Sequence, residues 1–170
     1  VNLLTDWKAA QMACTRASAT INGSTRRWQV PMQSWVKINV DAAIFGDTKT
    51  IGVGGVIRDE HGSFLRAMCK QMSGTWTPRE AEALSLKEVL SWVKSFGFAR
   101  CVIETDSKLL ADAYNGTPGR SYFHSIVNDC VDLVKHFESV LVRFVHRSAN
   151  EVAHLLARVS RSMSGLQEWE

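Results

Sequence analysis

No apolar run in this chain approaches the length needed to cross a bilayer, and no signal-peptide pattern opens it. We therefore expect no membrane partner. Cysteine is sparse: Cys14, Cys69, Cys101 and Cys130 are scattered, with no two at zinc-ligand spacing, which argues against a structural zinc. Cys101 and Cys130 lie inside apolar runs and read as small buried hydrophobes rather than disulfide partners. That suits a reducing, intracellular setting, nuclear or cytoplasmic. Internal repeats and low-complexity blocks are missing too. So is a basic surplus where it would matter. The net charge of +3 resides entirely before Trp35, in Lys8, Arg16, Arg26 and Arg27 against Asp6, and the remaining 16 basic and 16 acidic residues cancel. Bulk charge thus gives no support for nucleic-acid binding, and any such function must rest on particular positions.

What is present suffices for one ordinary core: 170 residues, 45% of them hydrophobic. The first residue is Val1, so we expect a piece of a longer or processed polypeptide. Leu3, Leu4, Trp7 and Ala10 are spaced for a short amphipathic helix over residues 1–12, and residues 15–27, rich in Ser, Thr, Asn and Arg, read as a linker. We set residues 1–34 apart as an N-terminal segment, followed by a domain over 35–163 and a tail over 164–170.

From Trp35 the pattern is orderly. A strand alternates Val36, Ile38 and Val40 with Lys37, Asn39 and Asp41, and is expected to end at Asp41. A second strand, Ile51 to Arg58, and a third, Ser63 to Gln71, flank the turn Asp59-Glu60-His61-Gly62 as a hairpin. The run Gly52-Val53-Gly54-Gly55 lies inside a strand, so it marks a close backbone approach or a bulge, not a phosphate loop. Thr77-Pro78-Arg79-Glu80 opens a long helix with a capping box and runs to about Phe96, stopping at Gly97. Then come a strand over 100–105, helices from Ser107 and over about 121–137, and a strand over 139–145. A last helix is expected to open with the capping box Ser148 to Glu151 and to run to about Met163. Consecutive strands imply an antiparallel meander, and the helical crossover makes strand 100–105 parallel to the first. Asp41 and Asp106 then share the carboxyl edge of the sheet, where α/β folds bind ligands.

Three acids stand where acid is locally awkward. Asp41 and Asp106 end apolar strands, while Glu82 shares a helical stripe with Leu86, Val89 and Val93. Buried charge is costly unless paired or bound to a cation. Three converging carboxylates would make a hard-cation site of the kind that holds magnesium with phosphates. Each has a plainer account: Asp106 as a helix cap, Asp41 as the start of a turn, Glu82 as an edge residue. Glu80, three residues after the cap, reads as solvated capping. His61, His124 and His136 read as surface residues. Trp7, Trp28, Trp35, Trp76, Trp92 and Trp169 read as packing anchors.

The set Asn39-Val40-Asp41-Ala42-Ala43, Gly54 to Asp59, Ala81-Glu82-Ala83-Leu84, Glu104-Thr105-Asp106-Ser107 and Asn150 to Arg158 resembles the type 1 ribonuclease H family. It is most similar to the domains of that kind in plant proteins and at the tail of plant non-LTR retroelement reverse transcriptases, over about residues 35–163. The resemblance implies a five-stranded mixed sheet flanked by helices, and cleavage of the RNA strand of RNA–DNA hybrids with two magnesium ions held by four acids. One ion lowers the pKa of the attacking water and the other stabilises the leaving oxygen. Asp41, Glu82 and Asp106 match three of the acids. The fourth position is His154, which brings no negative charge and suits softer metals than magnesium, so weaker magnesium binding and a relative preference for manganese are expected. A catalytically impaired nucleic-acid-binding module is the alternative. The loop with a proton-shuttling His is shorter here, with His146 a poor match. Thr77 matches a phosphate-binding Thr, Arg79 could meet a phosphate, and Ser107 and Asn150 complete the expected substrate contacts. The family's hybrid-reading Asn-Gln pair is replaced by Pro78-Arg79.

Overall fold

The computed structural model describes residues 27–170. The expected helix over 1–12 and most of the 15–27 linker, with Trp7 and Cys14, lie outside the described residues. The elements are β1 (Val36–Phe45), β2 (Thr50–Arg58), β3 (Phe64–Ser73), α1 (Pro78–Lys94), β4 (Arg100–Thr105), α2 (Lys108–Asn115), α3 (Tyr122–Leu133), β5 (Ser139–Phe144), α4 (Glu151–Val159) and β6 (Leu166–Trp169). Among the described residues no helix is long and apolar enough to cross a membrane.

The strands form one mixed sheet in the order β5-β4-β1-β2-β3-β6. β1, β2, β3 and β6 are antiparallel in turn, whereas β4 runs parallel to β1 and β5 parallel to β4, as the crossover rule predicts. The sheet has six strands where five were expected. The tail over 164–170 supplies the sixth: Leu166–Trp169 pairs with Ala67–Lys70 on the outer edge of β3. Trp169 packs there against the small cluster of Val56, Ala67, Cys69 and Leu156. Four residues are too few for an alternation to show in the sequence, and the edge of β3 recruits them.

β1 does not stop at Asp41. It continues to Phe45, and Asp41 pairs with Gly54 in mid-strand. The parallel ladder with β4 covers only Val36 to Asn39, so Asp41 stands just beyond it, at the carboxyl edge of the parallel part of the sheet.

The hairpin turn is shaped by Asp59, whose Oδ1 accepts from His61 N at 2.9 Å and Ser63 N at 2.8 Å, with Gly62 at φ 83°. On one face of the sheet α1 buries Leu86, Val89 and Val93 completely against Ile38, Val40, Ile51 and Val53. Its start is the expected box, Glu80 Oε2 accepting from Thr77 N at 2.9 Å, and this bond holds the Glu80 carboxyl below its ordinary pKa. Cys69, Cys101 and Cys130 are free and buried, and burial pushes their thiols up to about 11, 12 and 12.

The other face carries α4, pressed onto β2. A Cβ on Gly52 would fall inside the surface of the Ala157 carbonyl oxygen, and one on Gly54 inside that of Ala153. The glycine run is therefore a close approach between a strand and a helix backbone, which brings α4 beside β1. Gly54→Ala is expected to cost about 2 kcal/mol in chemical denaturation, in the range of overpacking. Gly46→Ala, where an added Cβ meets nothing within 4 Å, is expected to leave stability within about 0.5 kcal/mol of wild type.

Candidate metal centre

Each acid reaches the site from a different element. Asp41 projects from the middle of β1 and is 1% exposed. Glu82 comes from the first turns of α1, carried inward by the apolar stripe it shares. Asp106 follows the last residue of β4 and is not the helix cap: that position belongs to Ser107, whose Oγ accepts from Leu110 N at 3.3 Å. One oxygen of each carboxylate lies within 4.8 Å of the others. Glu82 Oε2 is buried and has no hydrogen-bond partner among the described residues.

The electrostatic consequence is large. Burial first, and then the Asp41 and Asp106 charges, push the Glu82 carboxyl up to about 9, with Arg147 opposing. Asp41 is raised by burial and by Asp106. An orphaned oxygen among three mutually repelling carboxylates fits a divalent cation, and all-oxygen donors fit magnesium or manganese better than a softer metal.

His154, on α4, sits beside this trio. Its Nδ1 lies 2.7 Å from Asp41 Oδ2, and Arg147 Nη2 approaches its Nε2 at 2.7 Å and its Nδ1 at 2.8 Å. Burial, followed by Arg147 and Arg158, lowers the imidazole pKa and favours the neutral form. A neutral ring has one donor and one acceptor nitrogen. With Asp41 ionised, Nδ1–H donates to the carboxylate, and Arg147 Nη2 lies against the ring, almost equidistant from its two nitrogens. Arg147 Nη1 also lies 3.4 Å from Asp106 Oδ2.

A buried polar chain stands behind the acids. Asn39 Nδ2 donates to Glu104 Oε2 at 3.0 Å and to Asn150 Oδ1 at 3.1 Å, while its Oδ1 accepts from Trp28 Nε1 at 2.8 Å and Arg58 Nη1 at 3.1 Å. Asn150 Nδ2 donates to Val40 O at 2.9 Å and reaches Asp106 Oδ1 at 3.4 Å. Lys37 pairs with Glu104 at 2.5 Å. The strand face read as polar is thus buried and internally satisfied.

The structure brings Asp41, Glu82, Asp106 and His154 together. Thr77 and Arg79 stay at the start of α1, Arg79 lying over the Phe123 ring at 5.9 Å. Ser107 is engaged as a cap, and Asn150, 1% exposed, braces β1 and Asp106 rather than facing solvent. Asn150, not Ser148, is the residue before the first turn of α4. His146 lies edge-on to Phe144 at 5.5 Å. Sequence reasoning missed Arg147 and Asn39. Asn39 shares the strand face of Asp41, a spacing legible in the alternation, whereas Arg147 lies in the turn before α4 and no helical spacing ties it to His154.

Because Glu82 takes up its proton more readily folded than unfolded, metal-free stability is expected to fall as pH rises from about 4.5 to about 9. Melting temperatures in chelator across that range should show the decline, manganese should reverse it at the alkaline end, and Glu82→Gln should flatten both effects.

A model of the reverse transcriptase-like family matches residues 39–160. No curated protein matches the chain. Among solved structures, ribonuclease H1 from the archaeon Halobacterium salinarum superposes with a TM-score of 0.69 at 23% identity, over 75% of this chain and 98% of that one. LC11 ribonuclease H1, solved with an RNA/DNA hybrid, gives 0.65 at 19% identity, over 72% and 94%. The foamy viral protease-reverse transcriptase, also solved with a hybrid, gives 0.60 at 13% identity, over 84% of this chain and 22% of that one. At these identities the likeness is one of fold. By the family match and this fold, the chain belongs to the reverse transcriptase-like family and has the architecture of ribonuclease H1.

Proposed function

We propose that this chain is a metal-dependent endoribonuclease that hydrolyses the RNA strand of RNA–DNA hybrids. The observation that carries the reading is the convergence of Asp41, Glu82 and Asp106 within 4.8 Å, with a buried Glu82 oxygen left without a partner. These three residues would hold magnesium or manganese. Bound divalent metal would supply an activated water and neutralise charge at the leaving oxygen. The chain's own contribution is positional. β1 and β4 fix two carboxylates on one rim, α1 fixes the third, and the Asn39–Asn150 pair holds Asp106 against β1 from behind.

We assign Thr77 and Arg79 to phosphate contact, since they flank the positive end of α1. Ser107 and Asn150 act by shaping the rim. The two relatives solved on RNA/DNA hybrids support the substrate class. The match to 22% of the foamy viral chain supports work within a larger polypeptide.

A second reading has its own observation. The imidazole of His154, contacted by the Arg147 guanidinium, stands at the position of the family's fourth acid, which suits a module that binds hybrid without cutting it. One assay separates the two. With a labelled hybrid and either magnesium or manganese, the nuclease reading expects RNA fragments with 5′-phosphate ends, reduced more than about hundredfold by Asp41→Asn. Hybrid retention without fragments supports the module. His154→Asp is expected to raise the magnesium-dependent rate, because it adds a hard oxygen donor; an unchanged or lower rate would show that the ring position is not limiting.

A further inference from the structure

Arg147 sits in the short turn Arg147–Ala149 that leads into α4, held there by Asn150 N donating to its carbonyl at 2.8 Å. Its guanidinium leaves solvent on one side, being 61% exposed, and on the other reaches both Asp106 and His154. His154 passes the contact on to Asp41, which is almost fully buried. The result is a closed ring, Asp41–His154–Arg147–Asp106, around the open side of the acidic trio. Arg147 Nη2 lies 2.7 Å from Nε2 and 2.8 Å from Nδ1 of His154, so the guanidinium covers both ring nitrogens, and Nδ1 also faces Asp41 Oδ2.

We propose that Arg147 is a built-in cation of this site and occupies, with His154, the position a second divalent ion would need, so that the free chain binds one divalent ion. The proposal deepens the nuclease reading and rests on it. Charge balance favours it. Three carboxylates are neutralised by one divalent ion together with one guanidinium. A second divalent ion would leave an excess of positive charge beside Arg147, with Arg158 one helical turn beyond His154 adding more. It would also have to displace Arg147 from beside both ring nitrogens to reach the imidazole. In a desolvated setting such like-charge crowding is strongly unfavourable.

Manganese, which can be counted directly by electron paramagnetic resonance of the free ion, tests this on the full chain without nucleic acid. Wild type is expected to bind one Mn2+ per chain. Arg147→Ala should expose a second site and tighten the first on the order of tenfold, the result of removing one like charge at short range. Arg147→Lys, which keeps the charge, should bind one ion as wild type does. Circular dichroism confirms that each variant is folded; an exposed turn residue is a mild place to substitute. Two ions bound by wild type, or an Arg147→Ala titration that superimposes on wild type, would overturn the inference while leaving the hybrid-cleavage reading standing. No bound ion in wild type, together with no hybrid cleavage, would remove both.

Discussion

Three negative groups confined within 4.8 Å repel one another, and most of the architecture of this domain serves to keep them there. The parallel ladder between β1 and β4 sets two of them side by side on one rim. The third arrives on α1 because Leu86, Val89 and Val93 fix the rotation of that helix against the sheet. Turning α1 by one residue would bury Glu82 in hydrocarbon or swing it into solvent. The arrangement is costly to the empty protein when all three are ionised, and protonation of Glu82 or a bound cation would relieve it.

The opposite face of the sheet solves a different problem. Asp41 lies in the interior of a strand, so whatever covers that face must approach closely and supply polar partners. Gly52 and Gly54 let α4 settle directly on β2, bringing His154 to Asp41 and Asn150 to Asp106 and Val40. Larger residues at those two positions would lift the helix and open the ring that Arg147 closes. Asn39 and Glu104 then carry hydrogen bonding from the rim back to Lys37, Arg58 and Trp28, so these side chains form one connected network behind the acids. Such networks are rigid when complete, since each unpaired member would carry a full desolvation penalty.

A ring and a guanidinium stand beside the three acids without dispersing them. The three carboxylates are hard oxygen donors in a partly dry setting, and Arg147 sets a fixed positive charge beside them. The fold is shared widely at low identity, whereas the chemistry depends on a handful of side chains.

Much of this was legible beforehand. The helix that carries Glu82, its capping box, the hairpin at Asp59 and the parallel placement of β4 all follow from local pattern and from handedness, properties that each segment bears on its own. The sequence by itself determined which three acids were costly to bury and that they would share one edge. Tertiary structure decided the rest. β1 passed Asp41 because β2 offered a partner out to Phe45; the last residues became β6 because β3 had a free edge; Asn39, Asn150, Arg147 and His154 acquired their roles from residues far away in the chain. Hydrogen bonds and ion pairs across such distances depend on which surfaces meet, and no periodicity within a segment records that.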